Sequence, residues 1–154
     1  MAPETVAAVE RGLAAAAWGW SEAGRSRELQ LSPMQQRVFE TVSRRGDTNL
    51  GGLAADLGLI PSSASRLCDR LEAAGLIVRE AARADRREIT VRLSVQGKRL
   101  YAEITERRRE FVARALAGLS ATARARLLDT LTEFGRASDL LPSGEAAGED
   151  HRTA

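Results

Sequence analysis

The amino-acid sequence predicts a mainly α-helical fold that carries one small β-hairpin. Apolar residues recur at steps of three and four in six segments, which is the spacing of one helix face. Two short runs rich in branched residues, 76–80 and 88–93, follow the fourth segment, and the second run alternates apolar and polar side chains as a strand does. The 154 residues, 44% hydrophobic and 29% charged, suffice for one domain of ordinary size and exclude a disordered chain.

The first two helices are predicted from an apolar stripe and from a start signal. Helix one covers residues 4–24, where the stripe comprises Val6, Val9, Leu13, Ala16 and Trp20. Helix two begins after Ser32, because Ser32 can cap it, Pro33 suits the first helical position and Gln35 can close a capping box. We expect this helix to end near Gly46.

The next two helices differ in the chemistry of their outer faces. A short third helix is indicated by Leu50, Leu53, Ala54 and Leu57, and Gly58 can end it. A fourth helix begins at Pro61, ends near Gly75 and directs inward Ala64, Leu67, Cys68 and Leu71. Its other face is unusually polar and consists of Ser62, Ser63, Ser65, Arg66, Asp69 and Arg70.

The hairpin and the C-terminal part complete the predicted elements. The hairpin loop lacks the Asn-Gly or Asp-Gly of a tight turn and contains Arg83, Asp85, Arg86 and Arg87. A long helix runs from Ser94 to about Gly118, and Ser120 starts a last helix. The acidic residues and glycines that follow Pro142 predict a disordered acidic tail.

The scarcity of cysteine and histidine excludes several kinds of site. Cys68 is the only cysteine and His151 the only histidine, so an internal disulfide, a Cys/His zinc site and a Cys-His nucleophile pair are excluded. The sequence also offers no Gly-rich phosphate loop and no carboxylate pair on a plausible cleft. We therefore expect no enzymatic activity, no metal and no cofactor.

The sequence also predicts a cytoplasmic protein. Its longest nearly apolar stretch, 13–20, has eight residues, whereas a membrane-spanning helix needs roughly 20. That stretch follows the acidic residues Glu4 and Glu10, which does not fit a secretory leader. We expect neither a membrane span nor a leader.

The charge distribution points to nucleic acid. Residues 61–99 hold nine basic and five acidic residues, whereas 137–154 hold one basic and four acidic. A short helix, a turn, a helix with a Ser/Arg face and a hairpin with an Arg-rich tip follow in the order of a winged helix-turn-helix. Such a helix fits the major groove, where Arg can reach guanine O6 and N7, and the hairpin tip can reach the negative minor groove.

The sequence resembles the multiple antibiotic resistance regulator (MarR) family of bacterial transcription factors over about residues 31–100. The resemblance is carried by Ser-Arg-Leu-Cys-Asp-Arg-Leu-Glu-Ala-Ala-Gly-Leu-Ile-Val-Arg at 65–79, by Asp-Arg-Arg at 85–87 and by Val-Arg-Leu-Ser-Val-Gln-Gly at 91–97. It implies that Asp85 braces the wing while Arg87 enters the minor groove. Two positions depart from the family pattern: Ile60 stands where Ser or Thr often precedes the proline, and Cys68 replaces a branched residue.

These patterns together predict a homodimeric transcriptional regulator, most simply a repressor of a pseudo-palindromic operator. We expect DNA contacts from Ser62, Ser63, Ser65, Arg66 and Arg70 in the recognition helix and from Arg83, Asp85, Arg86 and Arg87 in the wing. The domain plan is an N-terminal dimerisation helix over 1–31, a winged domain over 32–99, C-terminal dimerisation helices over 100–141 and the tail over 142–154. The resemblance also implies release from DNA by a small anionic or lipophilic ligand.

Other interpretations remain open at this level. Oxidation of Cys68 could regulate DNA binding, although no second cysteine could resolve a sulfenic acid. A winged module could instead bind a protein and no DNA, in which case the Ser/Arg face and the wing arginines would be ordinary solvated surface. Arg79 could contact phosphate or an acidic side chain. Trp18 and Trp20 could line a ligand cleft, pack between amphipathic helices or form a dimer contact. Arg107, Arg108 and Arg109 are predicted to form a solvated helix face, with contact to the DNA backbone as the alternative.

Overall fold

The computed structural model describes residues 2–25, 29–81 and 89–139 and confirms the mainly helical fold with a small antiparallel sheet. Among the described residues, those up to Phe111 form one compact unit and those from Val112 onward form another. The elements within the described ranges are α1 (Pro3–Ala23), α2 (Pro33–Arg45), β1 (Thr48–Asn49), α3 (Leu50–Leu57), α4 (Pro61–Ala73), β2 (Ile77–Ala81), β3 (Ile89–Leu93), α5 (Val95–Ala117) and α6 (Ala121–Asp139).

The predicted signals at the start of α2 and the end of α3 are confirmed. The backbone N–H of Gln35 donates to Ser32 Oγ at 3.2 Å, and the Ser32 N–H donates to Gln35 Oε1 at 2.8 Å, which completes a capping box. The side chain of Asn49 caps α3 by accepting a hydrogen bond from the Gly52 N–H at 2.6 Å. Gly58 ends α3 with a φ of 62°, a left-handed conformation that favours glycine.

The sheet contains one strand more than the predicted hairpin. Its order is β1-β3-β2, and both pairs are antiparallel. In the hairpin stem, Arg79 lies opposite Val91 and Ala81 lies opposite Ile89. Strand β1 has only two residues, which is too short for an apolar alternation, so sequence periodicity could not reveal it.

The hydrophobic core lies among α2, α3, α4, the sheet and the first half of α5. Its buried residues are Val38, Phe39, Val42, Leu53, Cys68, Leu71, Leu76, Ile77, Val91, Leu93, Leu100 and Ile104. Burial of each large apolar side chain contributes about 1.5–3 kcal/mol. This core fixes which side of α4 faces outward.

A close contact joins the end of the α4 segment to the start of α5. The Ser94 hydroxyl donates to the Gly75 carbonyl oxygen at 2.5 Å and accepts from the Gly97 N–H at 2.9 Å. Gly97 lies so close to Leu76 that an added Cβ would collide with the Leu76 carbonyl oxygen. A larger residue at Gly97 would therefore push α5 away from Leu76, the residue before β2.

Helices α1 and α6 leave their apolar stripes exposed. No residue of α1 is buried, and the exposed members of its stripe are Val6, Val9, Leu13 and Trp20. In α6 the exposed apolar residues are Leu127, Leu128, Leu131 and Phe134. The residues of the predicted acidic tail, 142–154, lie outside the described residues.

Candidate nucleic-acid interface

Helix α4 presents a polar face because its apolar face is held in the core. Ala64, Cys68 and Leu71 are fully buried, and they recur at steps of three and four along one side of the helix. The opposite side therefore projects outward. It presents Ser62, Arg66, Asp69 and Arg70 as exposed residues, with Ser63 and Ser65 half-buried at its edges.

Two arginines on this face are available for a ligand. Within the described ranges, neither Arg66 nor Arg70 forms a hydrogen bond or an ion pair through its side chain. An exposed guanidinium keeps five N–H donors that can contact phosphate oxygens or the acceptor edge of guanine. The structure thus places the predicted recognition-helix residues on one helix, with Ser62, Arg66 and Arg70 exposed.

Arg79 on β2 connects the hairpin to α4. Its Nη2 donates to the Ser65 carbonyl oxygen at 2.8 Å and to Asp69 Oδ1 at 2.7 Å, and its Nε lies 3.6 Å from Glu72 Oε2. Only 17% of the Arg79 side chain is exposed. Of the two interpretations that the sequence left open, the geometry favours the structural one, in which Arg79 sets the orientation of α4 against the sheet.

The stem of the hairpin is described, whereas its tip is not. The strands are joined in register up to the Ala81–Ile89 pair, and Arg92 and Glu80 form an ion pair on neighbouring strands. The pKa of Arg92 is raised, mainly because its guanidinium donates a hydrogen bond to Glu80 and also because the Glu80 carboxylate is negatively charged. The predicted wing residues, Arg83, Asp85, Arg86 and Arg87, lie outside the described residues.

Cys68 is poorly suited to a thiol switch. The side chain is fully buried on the inner face of α4. Burial raises the pKa of the Cys68 thiol, and the positive charge of Arg79 opposes this shift but does not reverse it. Because the thiolate is the reactive form, the raised pKa disfavours oxidation at this residue.

A second set of arginines, on α5, has a different environment. Arg108 is buried; its Nη2 donates to Glu40 Oε1 at 2.6 Å, and its guanidinium carbon lies 4.9 Å from the centre of the Trp20 ring. Arg107 Nε donates to the Ala23 carbonyl oxygen at 3.3 Å. Arg109, by contrast, is exposed, and its one ion pair within the described residues is with Glu106 on its own helix.

The prediction of one solvated face for residues 107–109 is therefore wrong for Arg108. Successive residues of an α-helix point about 100° apart, so three consecutive arginines cannot share a face. The sequence contained a signal for this, because Arg108 lies four residues after Ile104 on the apolar stripe. Gly24 allows the close approach of α1, since a Cβ there would lie 2.6 Å from Arg108 Nε.

A cleft of about 770 Å³ lies next to this arginine cluster. Two buried donor atoms of the cluster, Arg108 Nε and Arg107 Nη2, have no hydrogen-bond partner among the described residues, and neither arginine lines the cleft. The residues that line the cleft come from the end of α1, the segment before α2, α2 itself and α5: Ser21, Glu22, Gly24, Arg25, Leu29, Gln30, Leu31, Pro33, Gln36 and Ile104.

The described residues contain no group of His, Cys, Asp or Glu side chains that could hold a metal ion. Over the same ranges, no helix is long and apolar enough to cross a membrane.

Comparisons with known proteins agree with the winged helix-turn-helix geometry. The family model described as "MarR family" matches residues 29–88. The crystal structure of RV1404 from Mycobacterium tuberculosis is similar to this chain with 31% identity and a TM-score of 0.72, covering 92% of each chain. A MarR family protein from Bacillus stearothermophilus is similar with 25% identity and a TM-score of 0.76, covering 90% of this chain and 99% of its own.

The chain belongs to the MarR family of transcriptional regulators. A curated relative, the HTH-type transcriptional repressor MdtR of Bacillus subtilis, is 29% identical over 90 residues, which is 58% of each protein. The resemblance that the sequence showed is thus confirmed, and the curated relatives are transcriptional regulators rather than enzymes.

Proposed function

We propose that the protein is a homodimeric repressor that binds a pseudo-palindromic operator and is released from it by a small molecule. The main support is the exposed face of α4, where Arg66 and Arg70 have no partner among the described residues while Arg79 fixes the helix from behind. If Arg66 and Arg70 served to hold the fold together, we would expect each to pair with an acidic side chain, as Arg108 pairs with Glu40. The repressing direction is supported by similarity to MdtR, which is a transcriptional repressor.

In this proposal α4 enters the major groove and the hairpin reaches the adjacent minor groove. Ser62, Ser63 and Ser65 contact phosphates near the start of the helix, while Arg66 and Arg70 reach base edges and backbone. The wing residues Arg83, Asp85, Arg86 and Arg87 keep the roles that the resemblance implies. Because the operator is chromosomal DNA, the proposal also places the protein in the cytoplasm.

Dimerisation is supported by the exposed stripes of the terminal helices. Leu13 is 42% exposed, and Leu128 and Leu131 on α6 are 67% and 53% exposed. Exposed apolar stripes of this kind are typical of protein interfaces. A second copy would cover them, so residues 1–31 and 100–141 serve dimerisation and residues 32–99 serve DNA binding. Two recognition helices about one helical turn apart then read two half-sites.

The cleft beside Arg108 is the proposed effector site. It is large enough for a small organic ligand, and Leu29, Leu31 and Ile104 give it the apolar lining typical of such sites. Release from DNA requires that the ligand bind the state with the wrong spacing of recognition helices more tightly, because equal affinity for both states shifts nothing. Since Glu40 and Arg108 connect α2 with α5, a ligand in the cleft is placed to act on both helices.

Anisotropy measurements with labelled duplexes test the regulator proposal. The duplex from upstream of the gene is compared with a scrambled duplex at about 50 and 200 mM salt. We expect preferential binding to the upstream duplex that weakens as salt rises, together with a dimer in sedimentation analysis. Equal, weak binding to both duplexes would contradict a specific regulator, and the absence of salt-dependent binding would favour the alternative of a protein-interaction module.

Effector binding is tested through the fluorescence of Trp20, which contacts Arg108. A Trp18→Phe variant isolates this signal because the chain has only two tryptophans. Benzoate and decanoate serve as an aromatic and a lipophilic anion. We expect at least one of them to change the Trp20 emission and to release bound duplex over the same concentration range. A change in emission without release would contradict effector control through this cleft.

A further inference from the structure

Ile60, the residue that precedes α4, has no evident role within the subunit. It is the N-cap residue of the helix, yet its side chain caps nothing and is 66% exposed. Four other helices have a polar cap at this position, since Ser32, Asn49, Ser94 and Ser120 each accept a hydrogen bond from a first-turn backbone N–H, whereas α1 begins after Ala2, whose side chain forms no cap. A large branched apolar side chain thus replaces a cap at the helix that we propose to read DNA.

We infer that Ile60 is a specificity-determining residue that contacts the 5-methyl group of a thymine in the major groove. This inference rests on the proposed function. The N-terminal residues of a recognition helix are those that meet base edges, and apolar contact with the thymine methyl is one of the modes of direct readout. Ile60 offers a larger apolar surface for this contact than the single methyl group of a capping Thr, and a capping Ser has no methyl group.

The surroundings of Ile60 favour DNA over a protein partner. A docking site for a protein would need a contiguous apolar patch. Beyond Ile60, however, the outward side of α4 continues with Ser62, Arg66, Asp69 and Arg70, which are all exposed and polar. Leu57 packs against the core, and Leu59, which directly precedes Ile60, is half-buried. Ile60 is thus an exposed branched side chain at the edge of a Ser/Arg surface, which fits the methyl group that a thymine presents in the major groove.

Replacement of thymidine by deoxyuridine tests the inference, because the bases of these two nucleosides differ only in the 5-methyl group. The wild-type protein first selects a duplex from a randomised library, and each thymine of that duplex is then replaced in turn. We expect one position in each half-site at which deoxyuridine weakens wild-type binding about fourfold, the value for one buried methyl group. The Ile60→Ala variant should bind the thymine and the deoxyuridine duplexes with equal affinity, whereas Ile60→Val should retain most of the difference in affinity.

Arg66→Ala is the matched control, since it should weaken binding overall and still distinguish thymine from deoxyuridine. A merely structural role of Ile60 would not change the ratio of the two affinities. If Ile60→Ala keeps the full thymine preference, or if no thymine of the selected duplex shows one, the inference is wrong while the proposed function stands. If the wild-type protein enriches no duplex, the proposed function is contradicted and the inference falls with it.

Discussion

The arginines of α4 and the central arginine of α5 show how one residue type takes opposite roles in one chain. Arg66 and Arg70 are exposed and have no partner among the described residues, whereas Arg108 is buried and contacts Glu40 and Trp20. A guanidinium that is already paired and desolvated offers little to an external ligand, whereas an exposed one keeps its donors free. Burial and pairing, rather than the count of basic residues, therefore separate the proposed binding surface from the internal framework.

Removing the buried arginine should have the largest effect. Arg108→Ala leaves Glu40 partly buried without its partner and removes the contact with Trp20, so we expect a loss of about 3 kcal/mol in the free energy of unfolding. Urea denaturation measures this. The double variant Arg108→Met with Glu40→Leu should recover much of the loss, because no charge then remains unpaired. A stability loss below about 0.5 kcal/mol would mean that Arg108 is not part of the framework.

Removing an exposed arginine should affect binding and not folding. Arg66→Ala should cost about 1–3 kcal/mol of operator affinity if the guanidinium reads a base edge. Its unfolding free energy should change by no more than about 0.5 kcal/mol. Anisotropy and urea denaturation on the same preparation separate the two effects. Comparable losses in both measurements would remove the distinction between the two sets of arginines.

Arg79 combines features of both sets and should show an intermediate effect. Arg79→Ala removes hydrogen bonds to the Ser65 carbonyl oxygen and to Asp69, so we expect a loss of about 1–2 kcal/mol in unfolding free energy. Operator affinity should also fall because α4 loses its contact with β2. Arg79→Lys should restore only part of the affinity, since an ammonium cannot reproduce the forked contacts. Unchanged operator affinity in a less stable Arg79→Ala variant would show that the contact does not orient the reading face.

The smallest effect concerns the pH dependence of stability at Cys68. Because the folded-state pKa of this thiol is raised, the folded state binds more protons than the unfolded state once the pH exceeds the unfolded pKa. The contribution to stability is thus complete below about pH 8.5 and is lost as the pH rises towards the folded pKa. Between pH 7 and pH 10 the wild type should lose more unfolding free energy than Cys68→Ala. Parallel losses in the two proteins would contradict this shift.

The fold could be predicted from the sequence wherever a periodic signal was long enough. The capping residues around Ser32 and the glycine at 58 predicted helix ends correctly, and the Ser/Arg face of α4 was predicted because its apolar face repeats cleanly. Strand β1 could not be predicted, because its pairing with β3 depends on residues about 40 positions away along the chain.

The candidate site was predictable only in part, for a related reason. The polar face of α4 is a local property of one helix, so residue spacing identified it. The partners of Arg79 and Arg108 depend on contacts between elements, such as the one between Arg108 and Glu40, and no local pattern records them. The predictions for the wing residues Arg83, Asp85, Arg86 and Arg87 remain predictions.

The most direct test of the central claim, that the exposed face of α4 binds duplex DNA, compares three proteins on one duplex. The wild type, the double variant Arg66→Ala with Arg70→Ala, and the matched variant Arg109→Ala are titrated against the selected duplex by anisotropy. Arg109 is an equally basic exposed residue outside α4. We expect a large loss of affinity for the double variant and wild-type affinity for Arg109→Ala. Equal affinities for all three proteins would show that the exposed face of α4 does not bind this duplex.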